Sequence, residues 1–145
     1  GDYSELKVRR ALSNSVLLSS DVSAAFDPNY PGVNEKKNTA YFAHGLVFNK
    51  YTGSRGKSGC NDANAEFMAA IRAALEKHGV TFQTSELGKV DQGGGGTIAY
   101  IMAQYNMQVI DSGVQVLNMH APWEITSKAD VYEAMRGYEA FLAEM

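Results

Sequence analysis

The alternation of strand-like and helix-like segments constrains the fold of this chain more than any other feature. Short apolar or β-branched runs, typical of buried strands, occur at residues 16–20, 45–51, 80–84, 108–111 and 114–119. Helical spacing of apolar residues occurs at residues 3–14, 63–78, 97–105 and 128–145. Because strands alternate with helices along most of the chain, we predict an α/β fold with a mixed, largely parallel sheet flanked by helices.

The helix predicted in the middle of the chain has the clearest pattern. Phe67, Ile71 and Leu75 recur at four-residue spacing and define one apolar face. Asn61 or Asp62 is predicted to cap its first turn by accepting backbone N–H bonds.

The last helix is predicted to begin with a capping-box-like pair, Ser127 and Asp130. Its apolar residues form one predicted stripe: Val131, Met135, Tyr138 and Leu142.

Composition and charge exclude several classes of protein. The 145 residues are enough for one domain with its own core, and 45% of them are hydrophobic. Thirteen basic against 16 acidic side chains give a net charge of −3, which argues against nucleic acid as a partner. No apolar run is long enough to span a membrane. A single cysteine, Cys60, excludes an internal disulfide and favours a reducing, cytoplasmic setting.

Two predicted strands are followed by side chains that can bind a metal ion. Asp21 comes directly after residues 16–20, and His120 directly after residues 114–119. In open α/β sheets functional residues collect at the carboxyl ends of strands, and carboxylate and imidazole are ligands for zinc. The alternative is that Asp21 caps a turn and His120 is an ordinary loop histidine. A catalytic zinc also needs three protein ligands, and this pair supplies two.

A run of four glycines, residues 93–96, precedes a predicted helix. Glycines allow close approach of a substrate, and the free N–H groups at a helix start bind anionic or carbonyl oxygen. The alternative is a flexible turn. Since four glycines in succession cost conformational entropy, we favour a functional loop.

The segment 53–58, Gly-Ser-Arg-Gly-Lys-Ser, resembles a phosphate-binding loop but does not complete its pattern. Tyr51 stands where the first glycine of G-x-x-x-x-G-K-[ST] is required, so we do not expect a nucleotide site. Other polar candidates are Lys50, which is more often a surface charge, and Glu86 and Glu124 as additional carboxylate ligands. Trp123 is a candidate pocket wall or an exposed rim residue.

Several motifs together resemble the aspartyl aminopeptidase and aminopeptidase I family of zinc metallopeptidases, its bacterial branch in particular. They lie in the same order as in the family and extend over nearly the whole chain: Ser20-Asp21, residues 27–30 (Asp-Pro-Asn-Tyr), 61–66 (Asn-Asp-Ala-Asn-Ala-Glu), 91–97 and 118–124 (Asn-Met-His-Ala-Pro-Trp-Glu). The resemblance implies an aminopeptidase, a hydrolase that removes the N-terminal residue of peptide substrates through a water bridging two zinc ions, with cobalt or manganese as alternative metals. It also implies a homo-oligomer.

The resemblance assigns roles to individual residues. It implies that Asp21 is a ligand of one zinc and His120 of the other, and that Lys50 contacts the substrate. Around the substrate it places a wall and a set of backbone donors: Asp91, Gly94, Gly95, Gly96 and Thr97.

The remaining residues of the family's site are not found in this sequence. An earlier histidine, a bridging aspartate and a Glu-Glu pair that includes the general base belong to upstream sequence, as does the dimerisation domain. We therefore expect residues 1–145 to be the C-terminal portion of a metallo-aminopeptidase catalytic domain, inactive alone. Ala24, Asp27, Gly94 and Gly96 depart from the eukaryotic aspartyl aminopeptidases, which puts a preference for acidic N-terminal residues in question.

Two other interpretations remain open. One is a small non-catalytic α/β binding module whose glycine loop holds an anion or backbone. The other is a truncated homologue that serves as a subunit or scaffold.

Overall fold

A mixed sheet and four α-helices form the part of the chain that the computed structural model describes, residues 2–49, 63–89 and 98–145. The elements in chain order are α1 (Glu5–Ser13), β1 (Val16–Ala24), β2 (Leu46–Asn49), α2 (Ala65–Lys77), β3 (Phe82–Ser85), α3 (Ala99–Ala103), β4 (Gln108–Leu117), β5 (Ile125–Thr126) and α4 (Lys128–Glu144). A short 3-10 turn covers Pro31–Val33.

The strands lie in the order β1-β4-β2-β3, and the short β5 pairs with the end of β4. β1 is parallel to β4 over its whole length, and β2 is parallel to β3. β2 and β5 both run antiparallel to β4. The predicted fold class, a mixed and largely parallel sheet flanked by helices, is confirmed.

The hydrophobic core lies between the sheet and helices α2 and α4. Leu46 and Phe48 of β2 are fully buried, and Ile71 and Leu75 of α2 are 1% exposed. Burial of each such side chain contributes about 1.5–3 kcal/mol relative to exposure. The apolar face predicted for α2 therefore faces the core.

The start of α2 differs from the sequence prediction. Its cap is Asn64, whose side-chain oxygen accepts a hydrogen bond from the Phe67 N–H at 2.7 Å. The predicted caps, Asn61 and Asp62, lie outside the described residues.

Two predicted strands, residues 108–111 and 114–119, are one continuous strand, β4. Ser112 and Gly113 continue the strand because Gly113 is paired on both sides, with Asp21 of β1 and with Val47 of β2. The short β5 was not predicted.

Of the predicted apolar stripe of α4, Tyr138 packs against the core and the other three residues are exposed. Val131 and Met135 are each 48% exposed and Leu142 is 81% exposed. The buried side of α4 instead carries small residues and one acid: Asp130, Ala134, Gly137 and Ala140. Small side chains let the helix backbone approach the sheet closely, so the inward side of α4 is its less bulky one.

Asp130 also differs from its predicted capping role. Ser127 does cap α4, accepting weakly from the Asp130 N–H at 3.4 Å. The Asp130 carboxylate, fully buried, accepts from the Gly45 N–H at 2.7 Å, the Ala43 N–H at 2.8 Å and the Gln115 amide. It therefore fastens the start of α4 to the turn before β2 and to β4.

Candidate functional site

Asp21 lies within β1, and the prediction that it directly follows a strand is wrong. β1 continues to Ala24 because its pairing with β4 continues to Val116. The Asp21 side chain is exposed, and its Oδ1 accepts a hydrogen bond from the Val22 N–H at 2.7 Å. Its other carboxylate oxygen has no partner among the described residues.

β1 and β4 approach each other unusually closely at Asp21. A β-carbon built on Gly113 would lie 1.3 Å from the Asp21 carbonyl oxygen and 2.5 Å from its carbonyl carbon. No side chain fits in this space, so the backbone position of Asp21 depends on glycine at 113.

His120 lies in the turn that follows β4, three positions beyond Leu117. Its backbone has φ of 71°, and that of Asn118 has φ of 59°. The His120 side chain is exposed, and its ring makes no hydrogen bond within the described part of the chain. The backbone N–H of His120 donates to Glu124 Oε1 at 2.6 Å.

The sheet places Asp21 within β1 and His120 in the turn after the neighbouring strand β4, so the two candidate ligands do not lie at matched strand ends. Asp21 is in register with Gly113, four positions before the end of β4. At about 3.3 Å per residue this is roughly 13 Å along the strand. His120 lies beyond that end, so the turn after β4 must fold back to bring its ring toward Asp21.

The chemistry of this pair fits part of a zinc site. Asp21 offers a carboxylate oxygen, and His120 offers an imidazole nitrogen that makes no hydrogen bond to any residue the structure describes. Over residues 2–49, 63–89 and 98–145, no group of three or more His, Cys, Asp or Glu side chains is placed to hold a metal ion. Since a catalytic zinc takes three protein ligands, the described residues provide an incomplete set.

The other candidate site residues lie outside the described residues: Lys50, Asp91, Gly94, Gly95, Gly96 and Thr97. The segment 53–58 that resembles a phosphate loop lies there as well. Trp123 is described and is 83% exposed, so it forms no wall within this part of the chain.

A groove of about 530 Å³ lies between α2 and β3, away from Asp21 and His120. Met68, Arg72 and Phe82 are among its lining residues, and none of the candidate site residues borders it. No helix in the described ranges is long and apolar enough to cross a membrane.

A buried polar cluster beside the core was missed by sequence reasoning. Asn49 Oδ1 accepts from the Ser23 hydroxyl at 3.1 Å and from the Ser85 hydroxyl at 2.9 Å, and all three residues are buried. The cluster joins β1, β2 and β3. In the sequence, the cluster shows only as polar residues within strands that are otherwise apolar enough to be buried.

Comparison with known proteins identifies the family. A sequence model described as aminopeptidase I zinc metalloprotease (M18) matches residues 2–142. The chain is 72% identical over 142 residues to a probable M18 family aminopeptidase 1 of Clostridium acetobutylicum, covering 98% of this chain and 30% of the relative. The crystal structure of aminopeptidase I from that organism superposes with a TM-score of 0.88 at 72% identity, over 95% of this chain and 30% of that one.

More distant structures share the fold. An M18 aminopeptidase from Thermotoga maritima superposes with a TM-score of 0.93 at 44% identity, over 100% of this chain and 32% of the other. The mApe1 dodecamer of S. cerevisiae superposes with a TM-score of 0.73 at 20% identity, over 94% of this chain and 28% of the other.

An α/β chain with a carboxylate on one strand and an imidazole in the turn after the neighbouring strand is compatible with a metal-dependent hydrolase. The chain belongs to the aminopeptidase I family of zinc metalloproteases (M18). The resemblance predicted from the motifs is thus confirmed, and zinc is the metal of the family. The chain spans about 30% of the length of the C. acetobutylicum relative.

Proposed function

We propose that the full-length protein containing this chain is a zinc-dependent aminopeptidase that hydrolyses the N-terminal residue from peptides. The observation that carries the proposal is the match of the metalloprotease family over residues 2–142, together with 72% identity to an M18 aminopeptidase. Membership of a metalloprotease family also favours a peptidase over a non-catalytic binding module.

Residues 1–145 are, in this proposal, the C-terminal portion of the catalytic domain. The 30% coverage of the C. acetobutylicum relative supports a partial site. So does the lack, within the described residues, of any group of three or more His, Cys, Asp or Glu side chains that could hold a metal ion. The other ligands and the general base then come from residues outside this chain. The chain alone is accordingly expected to be inactive.

Asp21 and His120 each hold one of two zinc ions in the complete site. When bound, zinc lowers the pKa of water toward neutrality and polarises a carbonyl, which is the chemistry that peptide hydrolysis requires. The exposure of both side chains supports this role, as do the second carboxylate oxygen of Asp21 and the ring nitrogens of His120, which make no hydrogen bond to the described residues. β1 fixes Asp21 through its pairing with β4, and the turn after β4 carries His120.

The substrate contacts are assigned to other residues. Lys50 and Asp91 line the peptide, and backbone N–H groups of Gly94, Gly95, Gly96 and Thr97 face its oxygen atoms. These assignments rest on the motif resemblance.

The setting of the protein is also part of the proposal. A homo-oligomer is supported by the dodecamer of the S. cerevisiae relative. A cytoplasmic location is supported by the single cysteine. Cobalt or manganese can replace zinc in the same donor set.

The test compares zinc content and peptide hydrolysis of the full-length protein with those of two variants, Asp21→Asn and His120→Ala. Each variant is expected to lose bound zinc and at least 100-fold in activity while remaining folded. Asp27→Asn and His78→Ala are matched controls. The Asp27 carboxylate accepts a local turn bond from the Asn29 N–H, and His78 bonds Glu144 on another surface. Full zinc content and activity in either site variant would contradict the assignment.

The isolated chain provides a second test. Residues 1–145 alone are expected to bind zinc weakly and to release no amino acids from peptides. Turnover at a rate comparable to the full-length enzyme would show that the site is complete within this chain.

A further inference from the structure

The turn that carries His120 has an unusual backbone. Asn118 and His120 both have positive φ, 59° and 71°, a left-handed conformation that is uncommon for residues with a side chain. Such conformations persist only where the surrounding structure holds them, and they concentrate at functional sites. Some contact must therefore hold this turn.

The base of the turn is fixed by β5. Leu117 pairs with Ile125 and Val116 with Thr126, so residues 118–124 form a closed loop between β4 and β5. The Thr126 hydroxyl donates to the Gln115 carbonyl at 2.9 Å and reinforces this pairing.

Within the loop, two hydrogen bonds act on the left-handed residues. The Ala121 N–H donates to the Asn118 carbonyl at 2.9 Å and closes a turn. The His120 N–H donates to Glu124 Oε1 at 2.6 Å, a short bond to a charged acceptor. Glu124 directly precedes β5, so its carboxylate reaches His120 from a position next to the β4–β5 pairing.

The His120 ring itself makes no hydrogen bond among residues 2–49, 63–89 and 98–145. Within that part of the chain, the backbone of the turn sets where the imidazole leaves the main chain, and Glu124 is a side chain that holds the His120 backbone by a hydrogen bond.

We propose that Glu124 is the positioning residue of His120, holding the backbone at 120 in the conformation that directs the imidazole toward zinc. This inference rests on the proposed function, in which His120 is a zinc ligand. It replaces the sequence hypothesis that Glu124 is itself a ligand.

The decisive comparison is between Glu124→Gln and Glu124→Ala in the full-length protein. Glutamine keeps an oxygen that can accept from the His120 N–H, but its neutral amide is a poor metal ligand. Alanine removes the acceptor. Glu139→Ala, an exposed acid on α4, is the matched control.

Zinc affinity, kcat, KM and hydrogen exchange of residues 118–124 are measured for each variant. Glu124→Ala is expected to weaken zinc binding about 10- to 100-fold, to lower kcat more than it changes KM, and to accelerate exchange in the loop. Excess zinc should restore loading, because the His120 ring remains. Glu124→Gln is expected to stay within about threefold of the native protein in all four quantities.

Two results would overturn the proposal. Equal loss of zinc in Glu124→Gln and Glu124→Ala would make the carboxylate a ligand, and unchanged exchange and affinity in Glu124→Ala would make the contact dispensable. Failure of the proposed function is distinguishable, because it shows as retained zinc in His120→Ala. If the proposed function fails, hydrogen exchange of residues 118–124 in Glu124→Ala still reports whether Glu124 holds the turn. If the alanine variant does not fold, zinc affinity and hydrogen exchange in Glu124→Gln test the contact instead.

Discussion

The carbonyl oxygen of Asp21 occupies the space that a β-carbon on Gly113 would need, 1.3 Å from its ideal position. The obstacle is backbone rather than the end of a flexible side chain, so it cannot move aside without displacing β1. The residue opposite the candidate ligand thus controls how closely the two strands pack.

Gly113→Ala is expected to separate β1 from β4 at Asp21 and to cost about 3 kcal/mol or more, beyond the usual range for added methylenes. In the full-length protein this would lower both the thermal midpoint and the zinc content.

Gly32→Ala is the control for this prediction, since nothing lies within 4 Å of its added β-carbon. Zinc content and thermal stability in Gly113→Ala as high as in Gly32→Ala would show that the strands separate without cost.

The buried Asp130 carboxylate is expected to be among the most sensitive side chains of α4. Asp130→Ala removes the acceptor of the buried Gly45 N–H, of the part-buried Ala43 N–H and of one N–H of the Gln115 amide, which also donates to the Tyr41 carbonyl. Each of these donors that stays buried and unsatisfied costs roughly 1–3 kcal/mol. Asp130→Asn should be nearly as damaging, because its NH₂ group would face donors.

Thermal unfolding of the full-length protein measures both effects. Glu139→Ala, on the exposed side of the same helix, should change stability by less than about 0.5 kcal/mol. Comparable stability of Asp130→Asn and the native protein would mean that one acceptor oxygen suffices.

Glu133 of α4 is expected to make the stability of the fold depend on pH, because its carboxylate joins α4 to Thr81, the residue before β3. The Thr81 N–H donates to its carboxylate at 2.6 Å and Arg136 at 2.9 Å. The Thr81 hydrogen bond first, and then Arg136, lower the pKa of Glu133 below its ordinary value of 4.5, against the opposing effect of burial. Because the pKa is lower in the folded state than in the unfolded state, the charged carboxylate stabilises the fold. This contribution is complete at pH values above the ordinary pKa and is lost as the pH falls through the lowered pKa of the folded state.

Glu133→Gln should therefore be less stable than the native protein by about 1 kcal/mol at pH 7, where the charged hydrogen bonds are present. The difference should shrink as pH falls below 4.5. Thermal midpoints across this range measure it, with Glu139→Gln as the control. A difference independent of pH would exclude the carboxylate charge as its source.

The exposed residues of the predicted α4 stripe, Val131, Met135 and Leu142, are expected to tolerate polar substitution. Leu142 is 81% exposed, so Leu142→Ser should alter stability by less than about 0.5 kcal/mol. Leu75→Ala, at a position 1% exposed, should cost about 2–5 kcal/mol. A large loss in Leu142→Ser of the full-length protein would show that residues outside this chain cover the stripe.

Sequence periodicity predicted the fold where the signal is local. Phe67, Ile71 and Leu75 repeat with the helical period and face the core. The same reasoning fails for Val131 and Met135, because apolar spacing reveals a stripe but not which side of a helix the sheet contacts. In α4 the close packing of the helix on the sheet selects the small residues instead.

The other errors concern contacts distant in sequence. Ser112 and Gly113 resemble a turn in isolation, and only pairing with Asp21 and Val47 makes them part of one strand. Local spacing likewise suggests that Asp130 caps its own helix. The prediction fails because the partners of its buried carboxylate lie elsewhere in the chain.

The candidate ligands Asp21 and His120 could be named from motifs because their chemistry is specific to residue type. Their supports could not be named in this way. Gly113 acts by the absence of a side chain and Glu124 through a backbone N–H, and neither leaves a pattern that spacing alone can identify.

The Asp130 contacts carry a consequence for the order of folding. Asp130 joins Gly45 across 85 positions of sequence and Gln115 across 15. Forming the longer contact requires closure of a large loop, whose entropy must be lost before the carboxylate gains its donors. The turns of α4 can form early, whereas its docking onto β2 and β4 waits until those strands have paired. The first turn of the last helix is therefore expected to report completion of the sheet, and its amide protection should appear in the slowest folding phase.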